Sequence, residues 1–456
     1  MFELEDHLWA TGDGRRARWL FGTMATTDKG WSVRAQGMTE KDATLVPELG
    51  WAALSRSRLN RAEAQLVEDA QGVRDEVGVL ALHAGYANRF FPGTSTQQTR
   101  LRYALFVPWQ IQNLLRKRRS EVQAREELPQ QELQLANRLQ GESSGVIGRR
   151  NAKTGRLLAI PPSSAYWVAL REWGILNPMP LGIVPSRKDV FNHWDKWREG
   201  RSGRAVTDDE GRALEVYSGL FANGIPESSA AFRGNGPLEF KLIERERRFL
   251  RTRLAETTRL IDGKPSFLAE LVQAEIVPTH RQQPWSRQIA DAADAADRLA
   301  LKRARRAASL SVVARAWYAA AVETLQEADG LRGVTADHRE HFLKVVATHG
   351  ACATDLQLED LAQDGVVLAP EFLSVLAALQ QWAVEDGNNV LDPPLYRAMT
   401  DWEMRRKRSR SKLPRSKNGR EARRLREDPD TATPINYRWP LVRNLLRDLN
   451  GIASGV

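Results

Sequence analysis

From Trp51 onward the apolar residues of this chain recur at helical spacing. Ala52, Leu54, Leu59, Ala62, Leu66 and Val67 fall near a 3.6-residue period. A second apolar face runs through Leu101, Leu105, Ile111, Leu114 and Leu115. Pro92-Gly93 predicts a turn before it, and Thr94, Ser95 and Thr96 offer hydroxyls to cap the helix start. Pro108 either kinks this helix or opens another at its first turn. Arg116 to Arg119 close it with the charge that suits a helix C-terminus. Gln140 to Arg156, rich in Gly, Ser and basic residues, reads as a loop. Ser163 or Ser164 then caps a helix burying Tyr166, Leu170 and Trp173, and Gly174 ends it.

Further helices are expected over 190–197, 238–262, 266–276 and 288–325. Others follow over 338–346, 356–361, 370–384 and 393–404, with a last one over 440–449 capped by Gly451. Strand-like alternation is scarce, and no internal repeat is found. The pattern predicts a mainly α, multi-helix globular protein with long loops and a basic C-terminal segment. Its expected parts are an N-terminal extension (1–47), a helical domain (48–198) and an irregular linker (199–237). A second helical domain (238–404), a basic loop (405–433) and a C-terminal helix (434–456) follow. In the extension, Gly, Thr and charges interrupt every apolar stretch, and Trp9, Trp19 and Trp31 stand apart. It is either a segment that docks by its aromatics or the product of a start codon set too far upstream. The segments 90–119 and 161–175 are expected to share one core.

At 456 residues the chain is long enough for two or three cores. Fourteen Trp residues argue against disorder. Cys352 is the only cysteine, so no internal disulfide framework exists, and a reducing cytoplasm fits. The first 25 residues hold no apolar signal region. No apolar run of about 18 residues occurs, so no membrane-spanning helix is expected.

Charge changes the picture at one place. The stretch 405–426 reads RRKRSRSKLPRSKNGREARRLR, with twelve Lys or Arg against one acid, Glu421. Its charge of +11 exceeds the +10 of the whole chain, so the remainder is close to neutral. Such a block seeks polyanions, and nucleic-acid backbones are the commonest. The twelve candidates are Arg405, Arg406, Lys407, Arg408, Arg410, Lys412, Arg415, Lys417, Arg420, Arg423, Arg424 and Arg426. No aromatic residue interrupts the block, so phosphate contact should outweigh base stacking. Pro414 and Gly419 argue against one fixed helix, and the part from Arg420 to Arg426 is expected to become helical on binding. Replacing Arg405, Arg406, Lys407, Arg408, Arg410 and Lys412 by Gln should weaken binding to all sequences alike. A solvated loop without a partner is the plain alternative.

Catalytic motifs are missing. There is no G-x-x-x-x-G-K-[ST] loop, no H-E-x-x-H and no H-x-K-x4-D. His338, His341, His349 and Cys352 are residue types that zinc prefers, but their spacing favours ordinary histidines, and no metal or cofactor is expected. Glu239-Phe240-Lys241 is the E-x-K of restriction-type nucleases. It is expected to open a helix here rather than sit on a strand. Ser95, Thr96, Ser163 and Ser164 have no assigned base and are read as caps.

The block Phe90 to Trp109, FFPGTSTQQTRLRYALFVPW, resembles the signature FPGTSTIQTRxRYxLFVPW of an uncharacterised bacterial family, a domain of unknown function. Gly50-Trp51 and Arg74-Asp75-Glu76 fit the opening of that family. Pro161 to Trp167, PPSSAYW, and the ending Tyr437-Arg438-Trp439-Pro440 with Val442, Leu445 and Leu446 are similar to its later elements. The resemblance runs over about residues 50 to 450 and departs at Gln97, where Ile is usual. Family members resemble components of bacterial defence islands, beside helicase-like and phospholipase D-like genes. The family has no established catalytic residues, so none carries over.

The resemblance and the basic block together imply a non-catalytic, nucleic-acid-binding subunit of an antiviral system. Its expected partners are DNA or RNA backbones and helicase-like or phospholipase D-like proteins. The alternative is a helical scaffold for a helicase or nuclease partner, and an unrecognised nuclease is a third reading. Arg100 and Arg102 are expected to serve structure, or a partner or anion contact at the helix start, rather than to read bases.

Overall fold

The computed structural model describes residues 75–179, 182–200, 219–331, 337–385, 389–425 and 429–452, with the backbone of two strands at 24–27 and 30–33. The chain divides into two compact units, Met1–Leu66 and Val67–Val456. In the first, β1 (Met24–Thr27) pairs antiparallel with β2 (Gly30–Val33), Met24 opposite Val33 and Thr27 opposite Gly30. This pairing falls in the stretch expected to be weakly structured; its Thr, Trp and Val residues favour extended backbone. The rest of the expected extension, and the helical pattern from Trp51 to Val67, lie outside the described residues.

The second unit is mainly α-helical, as expected. Its principal helices begin with α1 (Leu80–Phe90), α2 (Tyr103–Arg116), α3 (Glu121–Arg138), α4 (Trp167–Glu172), α5 (Glu244–Ala255) and α6 (Phe267–Gln273). They continue with α7 (Ala295–Ala328), α8 (His338–Thr354), α9 (Pro370–Glu385), α10 (Pro393–Lys407), α11 (Lys417–Leu425) and α12 (Trp439–Leu449). The 34-residue α7, about 50 Å long, is the central strut. Asp294 caps its start by accepting from the Asp297 amide at 2.7 Å. Its small alanines let α8 lie close along it, while Trp317 and Tyr318 fill the core. Leu101, Leu105, Tyr166 and Trp173 are all buried in the same core. That core also takes side chains from 238–404 and from α12, so 48–198 and 238–404 do not hold separate cores among the described residues.

Several local expectations shift. Pro108 lies inside α2 without ending it. α3 crosses a stretch with a weak apolar pattern, and Ser120 and Gln123 form a capping box at its start. Pro161 precedes the short helix Pro162–Ala165, so Ser163 and Ser164 are not its caps. Their hydroxyls instead accept from the Arg187 guanidinium, at 3.0 and 2.7 Å. Thr94, Ser95 and Thr96 stand well before α2 and belong to a turn. The helix expected over 238–262 narrows to α5 because the backbone before it bonds elsewhere. The Leu238 amide donates to the Arg138 carbonyl, and the Glu239 carbonyl accepts from Arg102. Glu239-Phe240-Lys241 thus lies in an irregular run with a bend at Phe240, outside any helix. Gly174 and Gly451 adopt the left-handed φ of helix ends, +62° and +70°.

His341 bonds the Ala432 carbonyl and His349 the Ser309 hydroxyl. Among the described residues no three His, Cys, Asp or Glu side chains gather into a metal-holding group. No helix among them is long and apolar enough to cross a membrane.

A polar cluster sits at the edge of this core. Arg259, 1% exposed, spans Asp262, Asp294 and Asp297 at 2.8–3.1 Å, and Arg89 meets the same Asp297 oxygen at 2.9 Å. Glu270 accepts from the Asp294 amide, while its other oxygen is buried without a partner. Burial, followed by the charges of Asp294 and Asp297, pushes the Glu270 carboxyl up to about 7. The folded state therefore holds a proton that the unfolded chain has lost, and stability falls as pH rises from about 4.5 to 7. Glu270→Gln should match the parent at pH below that window. Above it, the variant should be more stable by about 1–2 kcal/mol after solvent screening is allowed for. Urea titrations across this window measure the difference, and a constant difference would refute the assignment.

Candidate nucleic-acid interface

The signature turn before α2 is held by its own polar groups. Thr94 Oγ1 donates to the Phe91 carbonyl at 2.7 Å, and Ser95 Oγ accepts from the Gln97 amide at 3.3 Å. Gln98 Nε2 donates to the carbonyls of Gly93 and Ala165 at 2.9 and 3.3 Å. Tyr166 OH accepts from the Thr99 and Arg100 amides and donates to the Arg100 carbonyl. Gly93 is required twice over. Its φ is +79°, and a Cβ there would lie 2.5 Å from the indole nitrogen of Trp173, which donates to the Pro92 carbonyl.

The C-terminal helix α12 closes the same turn. Arg438 donates to the Thr94 carbonyl and to Asn88, and Trp439 stacks on Phe91 at 5.8 Å. Tyr437 and Arg438 adopt successive positive φ values, 50° and 63°, a backbone strain held by their burial. The three stretches PGTST, PSSAYW and YRWP, far apart in sequence, thus form one polar knot.

Arg100 and Arg102 are part of this knot. Arg100 forms a two-pronged pair with Asp448 of α12, at 2.8–3.0 Å, and Asp448 also accepts from the Leu101 amide at 2.9 Å. Arg102 pairs with Glu246 of α5 at 2.8 Å, and both are buried. The anion at the start of α2 is therefore the chain's own Asp448.

The basic segment differs from the expected loop. α10 continues to Lys407, a 3-10 turn covers Arg408–Arg410, and α11 spans Lys417–Leu425. α11 is helical in the protein by itself, so its order does not wait for a ligand. Gly419, Ala422 and Arg423 face inward at helical spacing, while Lys417, Arg420 and Arg424 face outward. Gly419 permits a close approach: a Cβ there would sit 1.9 Å from the Pro414 carbonyl oxygen.

The organising group is Glu403, 2% exposed. One carboxylate oxygen accepts from Tyr318 OH at 2.6 Å and Lys407 Nζ at 3.1 Å. The other accepts from the Lys412 and Leu413 amides at 3.0 and 2.8 Å. Lys407 also pairs with Glu76. Burial raises the Glu76 carboxyl, but the charge and hydrogen bond of Lys407, with the Lys412 charge and the Tyr318 hydroxyl, override it and hold the group below the usual carboxylate range.

These contacts sort the twelve cations. Arg406 pairs with Asp75 at 2.8 Å, Lys407 with Glu76 and Glu403, and Arg423 with Asp329 at 2.6 Å, the last 2% exposed. Lys412 is buried beside them. These four serve the fold. Arg405 makes a surface pair with Glu371 at 2.9 Å. Arg408, Arg410, Arg415, Lys417, Arg420 and Arg424 are exposed. Arg415 lies over the Tyr396 ring at 5.5 Å, and Arg420 donates to the Asp329 carbonyl at 2.7 Å. Arg426 lies outside the described residues. The acids that make this division, Asp75, Glu76, Asp329 and Glu403, were not recognised as partners in the sequence. The one local signal was Glu403, four residues before Lys407.

No curated protein and no solved structure matches the chain. One family model does match, over residues 48–187, a span that contains the first two signature stretches and ends before the Tyr437–Leu446 stretch. Over those residues the chain is similar to a family described only as one of unknown function (DUF6361).

Proposed function

We propose that this protein binds nucleic-acid backbones, without sequence preference, through the outward cations of its folded basic segment. The observation that carries the reading is the sorting itself. Arg408, Arg410, Arg415, Lys417, Arg420 and Arg424 stay exposed while Asp75, Glu76, Glu403 and Asp329, gathered by the segment's inner face, are paired with other cations of the same stretch. Exposed guanidinium groups on an ordered support are well suited to phosphate oxygens. In this reading the protein is a non-catalytic subunit of a bacterial antiviral system, beside helicase-like or phospholipase D-like partners. That setting rests on the family resemblance.

Contact between all six exposed cations and phosphates would give a slope of log affinity against log salt near −5 on duplex DNA. Arg408, Arg410, Arg415, Lys417 and Arg424 changed together to Gln should move that slope toward zero by about 4 and leave the fold intact. A replacement set that includes Arg406, Lys407 and Lys412 would instead disturb the fold. Salt-dependent fluorescence anisotropy on several duplex sequences makes the measurement. Equal binding by parent and variant at every salt concentration would leave the scaffold reading in its place.

A further inference from the structure

Helical periodicity sets two amide-bearing faces against each other, away from the basic segment in sequence. Gln110 and Asn113 lie one turn apart on α2, and Gln130, Gln131 and Gln134 do the same on α3. With Phe232 they line a cleft of about 330 Å³, within the size range of small-ligand sites. Gln110 is 3% exposed, and its Oε1 has no hydrogen-bond partner. Buried amide oxygens are ordinarily satisfied, and a rotation of the Gln110 carboxamide would turn this one toward a donor in the cleft.

The wall opposite is fixed. Arg138 donates to the carbonyls of Ala231, Phe232 and Gly236, and the Phe232 ring stacks on Phe106 at 5.7 Å. Phe232 remains half-buried at the cleft. The charge there is positive. Lys117 and Arg233 line the cleft as exposed cations, while the acid, Glu127, is taken by Arg119 at 2.7 Å.

We propose that this cleft binds a nucleotide. The planar base lies against Phe232, carboxamides bond its edge, and the phosphate lies toward Lys117 and Arg233. A carboxamide carries a donor beside an acceptor, the pattern that the adenine edge also presents at N6 and N7. Stacking on an aromatic ring together with edge contacts is how unpaired bases are held. The ligand is either a free mononucleotide or an unpaired base within a strand; the recognised chemistry is the same.

The test uses the full chain and titration calorimetry with AMP, ribose 5-phosphate and inorganic phosphate. AMP should bind at one site, at least about tenfold more tightly than either control. Gln110→Leu should weaken AMP binding about tenfold without lowering the melting temperature, because it removes an unsatisfied buried acceptor. Gln134→Ala, at an exposed position, gives a second variant with a smaller loss and no threat to folding. Competition distinguishes the sources: oligo(dA) displacing AMP assigns the cleft to a strand, and its failure to do so assigns it to the free nucleotide. The five-glutamine variant of the basic segment should bind AMP normally, which separates this site from the duplex-binding reading. AMP binding no better than ribose 5-phosphate, or unchanged in both cleft variants, would overturn the proposal. Loss of AMP binding in the five-glutamine variant would overturn it as well.

Discussion

Glu403→Ala is expected to lower the unfolding free energy by about 3–5 kcal/mol, the usual result of removing one partner from a buried ionic group. The substitution leaves the Tyr318 hydroxyl, the Lys407 ammonium and two backbone amides without their acceptor. Lys407 retains Glu76, so the loss falls chiefly on the turn after α10. Arg408 there already holds a positive φ of 51°, which the Glu403 contacts help to maintain. Two readouts separate this effect from general damage. The denaturant midpoint should fall, and protease should cut 408–416 in the variant well before the rest of the chain. Glu403→Gln keeps an acceptor and should lose less. A Glu403→Ala protein with the parent's midpoint would show that the segment is ordered by something other than this carboxylate.

Asp448→Ala should be of similar size, about 3–5 kcal/mol. It strands the Arg100 guanidinium, whose side chain is 11% exposed, and the Leu101 amide at the start of α2. Asp448→Asn keeps the acceptor for Leu101 and removes only the charge, so its loss should be smaller. Arg100→Met paired with Asp448→Asn should recover part of the loss of Arg100→Met alone with Asp448 intact, since that single change buries a lone carboxylate. Equilibrium unfolding of the four proteins completes the cycle. Strict additivity would mean that Arg100 and Asp448 do not act as a pair.

Much of the helical architecture was legible because it depends on local signals. The apolar period of α2, the acid-capped and Ala-rich α7, and the ends at Gly174 and Gly451 are all set within a few residues of themselves. α3 escaped because its face is mostly Glu and Gln and Pro129 interrupts it. Only the Ser120–Gln123 capping box marked its start. The division of the basic segment was not legible. Formal charge counts Arg406 and Arg408 alike, whereas the fold brings Asp75 to one and leaves the other in solvent. The partners of Arg406 and Arg423 lie 331 and 94 residues away, beyond any local pattern. The roles of Arg100 and Arg102 were open for the same reason. An arginine beside a helix start fits a foreign anion or an internal one equally well until the chain closes on itself.

The closure of the signature turn by α12 has a consequence for how the protein is made. Arg100 and Asp448 are 348 residues apart. At roughly 5–20 residues per second, a ribosome that has added Arg100 needs about 20–70 s more to reach Asp448. Throughout that interval the PGTST turn lacks its anion, its Arg438 donor and the Trp439 ring, and it is left to water or to a chaperone. The first signature stretch to be synthesised is thus among the last to be finished, and the arrival of α12, rather than helix formation, sets when the turn can close.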